Sequence, residues 1–171
     1  MGEGFLIQQF ERLGIAVIEP SEFSLRAQMM FYRNAKTIVF MDGSAVHGRQ
    51  LLGYVPQDIH ILARRIGSRI CESGMTPRCD NLYYHDTSLE TFAFYGDTGF
   101  LWAHLAVSLM NLTAIFELFR QLGFSIQDDW DMAAYEQSVK ADLADWLAIH
   151  FPNTDPPPDL SEKLQKFDIF N

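Results

Sequence analysis

The side chains best able to do chemistry gather in one stretch, Asn34 to Gly53, reading NAKTIVFMDGSAVHGRQLLG. Asp42, Gly43, Ser44 and Ala45 place a carboxylate, a turn former and a hydroxyl in succession, and His47 follows two residues later. Ahead of them the β-branched apolar run Lys36 to Phe40 predicts a buried strand. Behind them Val46, Leu51 and Leu52 suit a short helix, in which Gly48 lets two backbones come close at some cost in helix propensity. A strand, a tight turn and a helix N-terminus present unpaired amides at the carboxyl edge of a sheet, so the chemistry to expect is capture of an anion. Gly43 and Ser44 either hold a diphosphate through backbone N–H groups and the Ser44 hydroxyl, or simply form the turn and cap the helix. Asp42 either accepts from a ribose or sugar hydroxyl or caps the same helix. His47, one turn inside the helix, either donates into the crevice or packs as a hydrogen-bonded histidine, and Gln50 shares its face. Arg64-Arg65, at the end of a further strand, brings concentrated positive charge in the form best suited to phosphate. Adjacent strand residues point to opposite faces, so at most one of the two is expected to meet the ligand.

Other chemistries fail on spacing. A nucleophile elbow needs glycine two residues before and after its serine, and around Ser44 those positions are Asp42 and Val46. Walker and dinucleotide fingerprints are missing, and no acidic pair closes an early strand to hold a metal as a phospho-accepting receiver would. His85-Asp86 and the cysteines Cys71 and Cys79 read as incidental, and Trp130 and Trp146 as packing residues of an amphipathic helix.

The elements that must position these residues follow from periodicity. Phe5, Leu6, Phe10 and Leu13 predict an amphipathic helix capped by Gly14. Ile15 to Ile18 reads as a strand broken by Glu19-Pro20-Ser21, after which Ser24 caps a helix bearing Leu25, Met29 and Tyr32. Strand Lys36 to Phe40, the short helix and strand Asp58 to Leu62 complete a helix and strand alternation that predicts a doubly wound α/β domain with a mainly parallel sheet. The segment from Ile66 to Asp80 carries no assignable pattern; Asn81 to Tyr84 and Leu89 to Tyr95 read as two further strands. Beyond a turn at Gly96 to Gly99, a long helix is expected through Leu105, Leu109, Leu112, Phe116 and Phe119 to Gly123. Asp128 or Asp129 then opens a surface helix with Met132, Tyr135, Val139, Leu143 and Trp146 on one stripe. The division expected is one domain over residues 1–151 and, over 152–171, a stiff linker around NTDPPP with a tail whose Leu164, Phe167 and Phe170 pack either back on the domain or against a second chain.

Composition narrows the function. A net charge of −9 argues against nucleic acid, whose binding rests on neutralising phosphates with Lys and Arg. Two cysteines are too few for a disulfide framework and lack the companions of a zinc site, so no metal is expected. No signal peptide opens the sequence, and the apolar stretch Phe100 to Phe116 is interrupted by His104, Ser108, Asn111 and Thr113. A cytoplasmic protein without a transmembrane segment is the expectation.

Taken in order, the run Gly14 to Pro20, then Ser24 and Gln28, then Phe31 and Ala35 before the strand, then Gly43-Ser44-Ala45, resembles glycosyltransferase family 61. The nearer likeness is to its bacterial capsular-polysaccharide-type members, over about residues 10 to 66. The resemblance implies half of a GT-B architecture: a Rossmann-like three-layer domain with a helical C-terminal part, corresponding to the half that binds the donor. The matched positions are Glu19, Gln28, Gly43, Ser44 and Ala45. Many members have histidine where this chain has Asp42, which sets a negative charge near the expected pyrophosphate. The function so implied is binding of a nucleotide diphosphate sugar for transfer to a saccharide acceptor in polysaccharide biosynthesis, with no cofactor beyond the donor substrate. The acceptor side is expected from a missing N-terminal half or another chain. The alternative is a catalytically inactive relic of the fold, kept as an oligomerisation or partner-binding module.

Overall fold

Ser24 ends the extended chain that precedes it by accepting a hydrogen bond from the Ala27 amide at 3.3 Å, and helix α2 (Leu25–Asn34) starts there. A side-chain acceptor at the N-cap satisfies one of the amides that the first helical turn leaves over. Such local signals place most elements of the computed structural model, which describes residues 1–95, 101 and 105–166. The chain divides into two compact units: Val17–Thr87, and Met1–Ala16 together with Ser88–Asn171.

In Val17–Thr87, β1 (Thr37–Met41), β2 (Asp58–Ala63) and β3 (Asn81–Asp86) form a parallel sheet in the order β1-β2-β3. The register sets Phe40 beside Ile61 and Ile61 beside Tyr84, so one face is apolar. That face packs on Tyr32 of α2, Val46 of α3 (Ala45–Arg49) and Met75 of α4 (Glu72–Met75). Removing such side chains from water supplies the main drive to fold, about 25 cal/mol per Å² of apolar surface. The other face carries Val39, His60 and Tyr83 in one row and Met41, Leu62 and His85 in the next. The unit is mixed α/β and compatible with a Rossmann-like arrangement.

The second unit holds α1 (Glu3–Arg12), an antiparallel pair β4 (Ser88–Phe92) and β5 (Val107–Met110), and helices α5 (Leu112–Gln121), α6 (Met132–His150) and α7 (Pro158–Lys166). Its core joins Phe5, Phe92, Phe94, Leu143, Leu160 and Leu164. Tyr135, Val139, Leu143 and Trp146 of α6 form the expected buried stripe, whereas Met132 is exposed. Asp131, not Asp128 or Asp129, caps α6 through the Ala134 amide at 3.0 Å. Trp130 packs edge-on against Phe5 and Phe116, the packing role expected of it. No helix among the described residues is long and apolar enough to cross a membrane.

Two expectations change. Ile15 to Ile18 makes no strand: the run is β-branched but pairs with no ladder. The long helix shrinks to α5, because Val107–Met110 pairs with β4 and Asn111 caps α5 through the Ala114 amide at 3.2 Å. The segment around NTDPPP leads into α7, whose Leu160 and Leu164 lie in the core of their unit. The expected turn at Gly96 to Gly99, His104 and the tail residues Phe167 and Phe170 lie outside the described residues.

Candidate functional site

Parallel strands β1 and β2 end side by side, and the Asp42 amide donates to Leu62 O at 3.0 Å, closing the edge of the sheet. The chain turns at Asp42, Gly43 and Ser44 into α3. Hydrogen bonding within the turn begins at Val46 N, which donates to Gly43 O at 3.3 Å, followed by His47 N to Ser44 O at 3.0 Å. Ser44 is itself in helical conformation and its hydroxyl makes no capping bond, so neither it nor Asp42 serves as a side-chain cap. With only five residues, α3 contributes little macrodipole, and positive charge at this edge comes from side chains instead.

Those side chains are Arg64 and Arg65, which lie in the bend beyond β2 and not on the strand. The alternation that would send one of them away does not operate there, and both reach the same corner. Arg65 Nη2 is 3.7 Å from Asp42 Oδ2, and Arg64 Nη2 stands 3.7 Å from where a Cβ on Gly43 would be. Asp42 is 1% exposed, and neither carboxylate oxygen accepts a hydrogen bond. A buried carboxylate in that state is costly unless a donor arrives, because water is lost and only the arginine answers it.

His47 is exposed, and its Nδ1 lies 3.2 Å from the Cys71 Sγ. Cys71 is carried to that point by the loop after β2. Tyr84 of β3 donates to Ile70 O at 2.6 Å, and the Arg69 guanidinium lies over the Tyr84 ring and 3.6 Å from Asp86. Cys71 adopts φ 60°, unusual for a side chain with a Cβ, and precedes α4. Burial pushes the Cys71 thiol up, a hydrogen bond from Gln50 opposes this, and the Asp42 charge adds to the rise. Gln50 reaches it past Gly74, where a Cβ would sit 2.8 Å from Gln50 Oε1. Burial, reinforced by Glu72, Cys71 and Asp42, pushes the Tyr84 hydroxyl up to about 12.

Glu19 and Gln28 form a separate group at the Pro20 turn. Glu19 accepts from the Ser21 amide at 3.1 Å and its hydroxyl at 2.8 Å, which holds its carboxyl below the usual range. Gln28 donates to Pro20 O at 2.7 Å and Phe23 O at 3.0 Å, while its Oε1 lies 4.0 Å from a Cβ built on Gly48 of α3. Asp42, Gly43, Ser44, Ala45, His47, Arg64 and Arg65 are thus brought to one sheet edge, with Glu19 and Gln28 shaping the turn before α2. The pairing of Cys71 with His47 escaped the sequence, since the two are 24 residues apart and the intervening loop lacks a pattern. Among the described residues, no three His, Cys, Asp or Glu side chains are grouped to hold a metal ion. No family model, curated protein or solved structure matches the chain.

Proposed function

We propose that Val17–Thr87 binds a nucleotide diphosphate sugar at the carboxyl ends of β1 and β2, as one Rossmann-like half of a GT-B glycosyltransferase, for transfer to a saccharide acceptor. The observation that carries this reading is the meeting of Arg64 and Arg65 over the Asp42 and Gly43 turn. Ligands of open parallel sheets settle outside the carboxyl ends of the strands, and paired guanidinium hydrogen bonds suit phosphate oxygens. The amides of the turn and the Ser44 hydroxyl complete a cradle for the diphosphate. Asp42 offers two acceptor oxygens to ribose or sugar hydroxyls and offsets part of the arginine charge. Catalysis in such a site consists of holding the donor and stabilising the departing diphosphate, while the base belongs to the acceptor side.

The thermal midpoint of the protein, measured with uridine, guanosine, cytidine and thymidine diphosphates and their sugars, tests this. Ligand at about a hundred times its dissociation constant adds roughly 2.7 kcal/mol, a rise of several degrees for a chain this size. One base should give that rise selectively. Arg64→Ala and Gly43→Val should abolish it, and Trp130→Ala should leave it. No rise with any nucleotide at millimolar concentration overturns the reading.

A further inference from the structure

We infer that Cys71 is a modification site, a thiol that His47 activates for attack on a low-molecular-weight disulfide of the glutathione type. The geometry has the parts such a reaction needs. The half-buried Sγ lies 3.2 Å from Nδ1 and 3.6 Å from Nε2 of an exposed imidazole, so a modest turn of the ring brings a nitrogen into line with the thiol proton, and a Gln50 hydrogen bond also reaches the sulfur. Independently of the thiol, Asp42 holds two buried oxygens that accept no hydrogen bond and face only the Arg65 charge at 3.7 Å, and the Asp42 charge acts on Cys71. An incoming peptide-like disulfide carries amide and ammonium donors for that carboxylate. It also brings carboxylates for the arginines at the same edge.

The step balances without a further oxidant. The Sγ proton passes to the unprotonated ring nitrogen of His47, the thiolate sulfur attacks one sulfur of the disulfide, and the S–S bond breaks with its electron pair on the leaving sulfur. That thiolate takes the proton from the imidazolium and departs as thiol, leaving a mixed disulfide on Cys71. Because burial and Asp42 keep the resting group a thiol, the base must supply the reactivity near neutral pH.

Intact mass and peptide mapping of the full chain after exposure to oxidised glutathione test the assignment, with Cys79 as internal reference. Cys79 is 6% exposed and its thiol donates to Met75 O at 3.4 Å, so it should stay unmodified. The expected result is one adduct, on Cys71, lost in Cys71→Ser. His47→Gln should slow the reaction by at least about tenfold near neutral pH, with the gap closing at alkaline pH where the thiol ionises unaided. No adduct, an adduct on Cys79 at equal rate, or an unchanged rate in His47→Gln would overturn it. His47 is exposed, so the variant tests chemistry and not folding. Nucleotide binding is read separately, so this inference and the donor reading can fail independently.

Discussion

Arg49 is 0% exposed, yet among the described residues its guanidinium hydrogen bonds reach only neutral acceptors. Nε donates to Gln57 Oε1 at 2.6 Å, Nη1 to Gly53 O at 3.1 Å and Nη2 to Arg78 O at 3.0 Å. Gln57 in turn donates to Tyr32 O at 2.8 Å and Ala35 O at 2.6 Å. One side chain therefore ties the end of α3 to the entry of β2 and the end of α2, which fixes the turn that bears Asp42 and Gly43. Burial draws the Arg49 pKa down, but arginine stays charged, so the carbonyls around it must supply what water no longer does. Arg49→Ala leaves one buried acceptor, on Gln57, and two partly buried carbonyls unanswered, and should cost about 3 kcal/mol overall. Urea unfolding should show this as a lower midpoint with unchanged slope. Arg49→Lys, which cannot span three acceptors, should recover only a minor part. The sequence carried a faint signal for this residue, since Arg49 follows Val46 by three positions and shares its buried face.

Elements with local chemistry of their own were legible, and elements defined by a distant partner were not. Gly14, at φ 73°, ends α1 as its position suggests, and Ser24 opens α2. β1 came within one residue because a β-branched run followed by Asp-Gly-Ser has few alternatives. The stretch ending at Asn111 shows the converse. Leu105, Leu109 and Leu112 fit a helical period, but Ser108 and Met110 are the buried pair of β5, an alternation visible only once β4 is opposite. In the sequence Asn111 interrupts an apolar run; in the fold it is the cap that separates β5 from α5. Asn111→Ala should destabilise the protein by about 1 kcal/mol in urea, and Asn111→Asp should restore most of the loss. The candidate site divides in the same way. Its turn and its arginines stood out by residue type, whereas the Cys71 thiol needed the fold to bring it to His47.

At the scale of the molecule, the two units carry their charges and reporters unequally, and this makes their coupling measurable. On one face of the parallel sheet His60 Nδ1 lies 3.0 Å from His85 Nε2, His60 is 8% exposed, and the Tyr83 ring stacks on it. Burial holds both imidazoles below the usual 6.5, and His85 lowers His60 further, while Asp58 and Asp86 pull the other way. A depressed folded pKa means that the unfolded chain binds more protons in the window between the two values. Stability from this pair is therefore fully present above about pH 6.5 and is lost as the pH falls through the depressed folded values. The pair lies in Val17–Thr87, a stretch with no tryptophan, and all three tryptophans fall in the range of the other unit. In urea, lowering the pH from neutral to mildly acidic should then lower the unfolding midpoint seen by amide hydrogen exchange of β2 and β3. His60→Phe should flatten that dependence, since it keeps the stacking on Tyr83 and removes one of the two protonation sites. If tryptophan emission follows the same shift, the units unfold as one cooperative body; if it holds steady, acid loosens the sheet and its candidate site while the tryptophan-bearing unit stays folded. An unchanged midpoint for the sheet across that window would show that the histidine pair accepts protons as readily folded as unfolded.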